Sequence, residues 1–136
     1  MNRWILKTEP GTYSFDDLLR DKITRWDGVS APAALNSLRA MKEGDAAFIY
    51  HTGDVKAIVG LARIASAPYA DPKLDDPKRT VIDVEAVRPL ASAVPLSAIK
   101  ADPQFKDLGL VRIGRLSVMP VSSDQWKALL EMAKGG

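Results

Sequence analysis

The chain contains no cysteine and a single histidine, His51. The first absence removes disulfides, thiolate nucleophiles and iron–sulfur clusters from consideration, and it is compatible with a reducing compartment. The second makes a multi-histidine metal site impossible. No glycine-rich run leads into Lys-Ser or Lys-Thr, so a phosphate-cradling P-loop is missing. No serine lies in a Gly-x-Ser-x-Gly elbow, and any Ser-His-Asp triad would have to be built on His51 alone. No apolar run approaches the roughly 20 residues that span a bilayer, and Met1-Asn2-Arg3-Trp4 does not open a signal peptide. A cytoplasmic protein with no metal, no cofactor and no membrane contact is the expectation.

Strong charge of either sign is also missing. Nineteen basic residues against seventeen acidic ones leave a net charge of +2, far from the footprint of a strongly basic nucleic-acid binder. Contact with a polyanion would therefore need a local patch. At 136 residues the expected organisation is one domain, 1–136.

What is present is best read around residues 44–64. Two apolar runs, Ala46–His51 and Val55–Ile64, flank Thr52-Gly53-Asp54, a hairpin signal. Both runs are nearly continuous in apolar residues, which suits strands covered on both faces. Gly60 inside the second marks a bulge or a corner. Upstream, Trp4-Ile5-Leu6 reads as a first strand over 3–7, and Ser14 with Asp17 starts a short helix. Residues 23–30 read as irregular, followed by a helix that Ser30 caps, Pro32 opens and Gly44 closes.

Downstream, 66–78 reads as a surface loop, and 80–88 as a strand in which Ile82, Val84 and Ala86 alternate with Asp83 and Glu85 until Pro89 ends it. Leu96–Ala101 suits a short helix, and Asp102-Pro103 starts another through Phe105 and Leu108. A strand near 116–119 stops at Pro120. Ser122 and Gln125 form a capping box for a last helix with Trp126, Leu129, Leu130 and Ala133 on one stripe. A hairpin among strands separated by unequal helices argues an α+β fold, with strands near 3–7, 45–51, 56–65, 80–88 and 116–119.

Paired carboxylates at Asp16-Asp17, Asp75-Asp76 and Asp83/Glu85 fall at a helix start, in a loop and on a strand's outer face, which are solvated settings. Trp26 lies between Arg25 and Asp27-Gly28 in a polar stretch outside any apolar stripe. It admits two readings: a satellite core residue, or a π-surface for a planar ligand whose polar edge meets Asp27 and the amides of Gly28 and Val29. Tyr50 and His51, adjacent on a strand, point to opposite faces.

Several motifs in order then carry a resemblance. Trp4 with Lys7-Thr8-Glu9-Pro10, Trp26-Asp27-Gly28-Val29, Leu38-Arg39-Ala40-Met41-Lys42, Phe48-x-Tyr50-His51, Gly60, Val81-x-Asp83-Val84 and Arg115-Leu116-Ser117-Val118-x-Pro120 resemble the EVE domain over almost the whole chain. The resemblance implies a PUA-like fold, related to YTH and ASCH domains: a curled five-stranded mixed or antiparallel pseudo-barrel surrounded by short helices. It also implies a non-enzymatic nucleic-acid-binding domain that reads a modified base, either a modified cytosine in DNA or a modified RNA base. The sequence does not fix the oligomeric state, and a monomer is the expectation.

Carried over by position, the base pocket comprises Thr8, Glu9, Trp26, Asp27, Gly28, Val29, Tyr50, His51, Leu116 and Ser117, with Trp26 as its aromatic wall. Phosphate contacts fall to Lys7, Arg25, Arg79 and Arg115. The chain departs from the family pattern at Ser30-Ala31-Pro32-Ala33-Ala34, where Arg-Asn-Tyr-Gln-Ala is usual, and at Arg79, where a tryptophan is often found. Thr8 stands in place of serine. Two other readings come from different classes: a small enzyme acting on a nucleobase with Glu9, Asp27 or His51 as acid–base groups, and a protein-interaction domain with a decayed pocket.

Overall fold

The computed structural model describes residues 2–134. Its centre is one mixed sheet of β1 (Arg3–Thr8), β2 (Ile23–Trp26), β3 (Ala46–His51), β4 (Ala57–Ile64), β5 (Tyr69–Ala70), β6 (Thr80–Pro95) and β7 (Val118–Val121). The strand order is β2-β6-β4-β3-β1-β7, with β5 attached to β6. Only the β1–β3 pair is parallel; the other pairs among the described residues are antiparallel.

The alternation of side chains in β1 and β3 supplies two cores at once. Trp4, Leu6, Ala47 and Ile49 face one cluster, shared with α1 (Phe15–Asp21) and α2 (Pro32–Ala40). Ile5, Phe48 and Tyr50 face the other, shared with α3 (Leu96–Ala101) and α5 (Ser123–Met132). This two-sided burial is what the continuous apolar runs anticipated. In the second cluster the Phe48 and Trp126 rings stack at 3.9 Å.

The helix starts behave as their sequences suggest. Ser14 accepts from the Asp17 amide and Asp17 returns a bond to the Ser14 amide, and Ser122 and Gln125 do the same for α5. Helix α2 differs: its N-cap is Ala31, with no side-chain cap, and it ends at Ala40. Gly44, at φ +96°, belongs to the turn into β3 instead. That turn needs a left-handed residue, and its amide bonds the Ile64 carbonyl.

Four further expectations change for tertiary reasons. Residues 23–26 form strand β2, an edge strand whose regularity comes from pairing with β6 and not from its own mixed composition. The 66–78 connector contains the two-residue strand β5, paired with β6. Prolines do not end β6 or β7. Pro89 sits opposite Gly60 where the β4–β6 register shifts, and Pro120 lies on the edge strand β7, the two places where a sheet tolerates a missing N–H. Residues 103–108 are likewise shorter than expected, a 3-10 turn at Pro103–Phe105 followed by α4 (Gly109–Arg112).

Gly60 does mark an irregularity, since the β3–β4 and β4–β6 registers both shift beside it. The Phe15 ring occupies the space where a Cβ at Gly60 would stand. No helix among the described residues is long and apolar enough to cross a membrane.

Candidate functional site

A cleft of about 380 Å³ opens at the C-terminal ends of β1 and β2, lined by Lys7, Thr8, Thr12, Tyr13, Thr24 and the stretch Arg25–Val29, with Ser117. Strands β1 and β2 stand four places apart in the sheet order. In a flat sheet that separation would be about 19 Å at ~4.8 Å per strand. One cleft holding both ends therefore requires the sheet to curl.

Local bonds hold the walls. Thr8 donates its hydroxyl to the Tyr13 carbonyl at 2.7 Å, and the Tyr13 ring meets Trp26 edge-on at 6.4 Å. The Tyr13 hydroxyl donates to Asp21 at 2.8 Å, and burial raises its pKa above the ordinary value. Gly28 takes φ +77° in the Trp26–Val29 turn. Arg79 Nε donates to the Val29 carbonyl at 3.1 Å, bracing that turn from behind. The Lys7 amide bonds the Ser117 carbonyl at 2.9 Å, which fixes the opposite rim.

Trp26 is 7% exposed. It belongs to the first core cluster and also lines the cleft. The two readings of this residue are thus not exclusive, because most of the ring fills the core while one margin faces the cavity.

Among the expected pocket residues, Thr8, Trp26, Asp27, Gly28, Val29 and Ser117 come together in this cleft, as do the cations Lys7 and Arg25. Arg25 lies beside a polar chain: its Nε donates to the Tyr69 hydroxyl at 3.2 Å, which donates to Asp83 at 2.6 Å. Arg79 stands behind Val29, and Arg115 is exposed in the turn two residues before Ser117. Leu116 is half-buried and packs against both cores.

Glu9, Tyr50 and His51 do not line the cleft. Glu9 accepts from the Gly11 amide and the Thr52 hydroxyl, both at 3.2 Å, tying the turn after β1 to the hairpin tip. His51 Nε2 accepts from the Phe15 amide at 3.0 Å, serving the first turn of α1. Burial lowers its pKa below the ordinary value, against the opposing fields of Asp16 and Glu9. Tyr50 faces the second core, and the Lys7 ammonium lies 5.6 Å from its ring centre. Strand parity accounts for Tyr50: β1 and β3 run parallel in register, so Tyr50 shares a face with Lys7 over the second core, whereas His51 shares the Thr8 face and is taken up by the Phe15 amide. The expectation that Tyr50 or His51 bounds the Trp26 site is therefore not met.

Tyr13, Thr12 and Thr24 were not anticipated as lining residues. Tyr13 stands directly before the Ser14 cap, where its position suggests a staple onto Leu18 and nothing more. Thr24 sits in β2, whose existence depends on pairing with β6. Among the described residues, no group of three or more metal-ligating side chains comes together.

The EVE domain family model matches residues 2–132. The chain belongs to the EVE domain family. Mouse thymocyte nuclear protein 1 is 34% identical, the match covering 96% of this chain and 73% of the relative. The solved structure of human THYN1 protein in complex with 5-methylcytosine-containing DNA is 30% identical, with a TM-score of 0.89 and 98% of each chain covered. The YTH domain of Zygosaccharomyces rouxii MRB1, solved with N6-methyladenosine RNA, superposes with a TM-score of 0.62 at 14% identity and 98% and 86% coverage. That last likeness establishes the fold alone. This EVE domain is thus an α+β, PUA-like structure with a curled, unclosed sheet, and its relatives support a nucleic-acid-binding domain.

Proposed function

We propose that this EVE domain is a non-enzymatic reader of a modified base in nucleic acid, acting as a monomer in the cytoplasm, and that the base enters the Trp26 cleft. The observation that carries the reading is the meeting of Trp26, Thr8, Asp27, Ser117 and the cation Lys7 in one cavity of about 380 Å³. Human THYN1, 30% identical over nearly the whole chain, is seen with 5-methylcytosine-containing DNA, which favours a modified cytosine as the first ligand to test.

The energetics set what each group must supply. Taking a base out of its stack costs a few kcal/mol, least for single-stranded or damaged sites. Contact with an aromatic face returns about 1–3 kcal/mol per base. Trp26, largely enclosed, offers a margin of its ring, so discrimination falls to the polar groups: the Thr8 and Ser117 segments on one rim and Asp27 with the Gly28 amide on the other. Lys7 and Arg25 supply the salt-dependent part, and Arg79 acts by holding Val29 in place. Acid–base chemistry finds less support, because Glu9 and His51 are engaged elsewhere and only Asp27 of the three lines the cleft.

The test is a comparison of binding to single- and double-stranded oligonucleotides bearing cytosine or 5-methylcytosine, at two salt concentrations, with an RNA set carrying N6-methyladenosine. Tighter binding to one modified oligonucleotide than to its plain counterpart supports the reading. Equal binding to all of them, or turnover of a base, overturns it.

A further inference from the structure

On the other side of Lys7 lies a second pocket, of about 230 Å³, bounded by Lys7, Tyr50, Thr52, Lys56, Lys100 and Gly114 among others. Its polar side chains are three ammonium groups with a phenol and a threonine, and no carboxylate lines it. Glu9 lies against Gly53 and is already engaged by Thr52 and the Gly11 amide, and Asp54 of the hairpin tip is exposed and does not line the pocket. Elsewhere Arg20, Arg63, Arg112 and Lys134 pair with acids. Lys7, Lys56 and Lys100 make no ion pair with a described residue.

Three like charges around one small pocket repel one another unless an anion joins them. Lys7 is the most enclosed of the three. Its ammonium has three donors, of which one reaches the Gly114 carbonyl at 3.0 Å. Burial lowers its pKa, as expected of a half-buried cation without a counter-charge. Lys56 holds a left-handed backbone at φ +47°, unusual for a residue with a side chain, and its carbonyl is pinned by the Leu96 amide at 2.8 Å. Such strained conformations concentrate at functional sites. Lys100 comes from α3, an element unrelated to the Trp26 cleft.

We propose that the Lys7–Lys56–Lys100 pocket holds a backbone phosphate of the same nucleic-acid strand whose base enters the Trp26 cleft. The inference rests on the base-reading function and deepens it. Lys7 lines both cavities, so a strand crossing it places a base on one side and a phosphate on the other. Three ammonium groups lining one pocket with no carboxylate suit a tetrahedral oxyanion better than a second, uncharged base.

The test compares wild type with the Lys56→Gln/Lys100→Gln pair, using single-stranded oligonucleotides with cytosine or 5-methylcytosine across a salt series. Lys127→Gln, on the exposed side of α5, shows what the loss of one remote positive charge does. The pair should lose about tenfold in affinity for both oligonucleotides alike, the low end of what one hydrogen bond to a charged group is worth. It should also flatten the slope of log K against log salt by about 0.7, one phosphate on a single strand. The ratio between modified and plain base should stay the same. Unchanged affinity and slope, or an equal loss in Lys127→Gln, overturns the proposal. If wild type binds both oligonucleotides equally, the base reading fails while loss in the double variant still supports the phosphate site. If no oligonucleotide binds, the strand assignment falls. Titration with inorganic phosphate, followed at the Gly53 and Gly114 amides, then tells an anion pocket from none.

Discussion

His51 is the acceptor for the Phe15 amide at the first turn of α1, with Nε2 to N at 3.0 Å. Only a neutral imidazole with its lone pair on Nε2 can do this; a protonated one would set donor against donor.

A pH dependence of stability follows. Burial puts the folded pKa of His51 below its ordinary 6.5. The unfolded chain therefore takes up the proton first. Stability from this group is complete above about pH 6.5 and falls as pH drops through that value towards the folded pKa. Urea midpoints at pH 7.5 and pH 5.5 should differ in wild type and differ less in His51→Gln, which keeps an acceptor and does not titrate. An identical shift in the variant would assign the effect to other groups.

Asp45 is buried at 4% exposure and accepts from Trp4 Nε1 and the Lys42 amide at 3.0 Å and from the Asn2 amide at 3.2 Å. It joins the start of β1 to the turn before β3. In Asp45→Ala water can reach the exposed Asn2 and Lys42, but the buried indole N–H stays unmet. The expected loss is about 2–3 kcal/mol, read from denaturant melts. Adding Trp4→Phe, which removes the orphaned donor, should recover part of it.

The Gly60→Ala substitution should cost about 1–3 kcal/mol, because the new methyl meets the buried Phe15 ring. With Phe15→Leu the cost should shrink, and the double-mutant cycle should show coupling. Additive losses would mean that the backbone, and not the ring, sets the requirement for glycine.

Trp26 has two roles to lose. Its place in the first core predicts that Trp26→Ala loses about 3–5 kcal/mol of stability. The margin facing the cleft predicts weaker preference for a modified base. Trp26→Phe, which retains part of the core volume, separates the effects when binding is measured well below its melting temperature. Undiminished preference in both variants would remove Trp26 from the base site.

Much of the fold was legible in local chemistry. The Ser14–Asp17 and Ser122–Gln125 capping boxes, the alternation at Ile82 and Val84, and the doubly apolar runs of β3 and β4 each act within a few residues, so spacing alone determined them. The motifs from Trp4 to Pro120 also determined the family. Tertiary structure decided the rest. Residues 23–26 became a strand because β6 offered an unpaired edge, and Pro89 and Pro120 stayed in strands because a bulge and an edge need no N–H there. The membership of the site was decided the same way. Thr8 and Trp26 meet through the curl of a sheet in which their strands are four places apart. Strand parity turns Tyr50 into the second core, and His51, on the Thr8 face, is held at the α1 terminus by the Phe15 amide. A property set by neighbours along the chain can be read from the chain; one set by which edges and faces meet cannot.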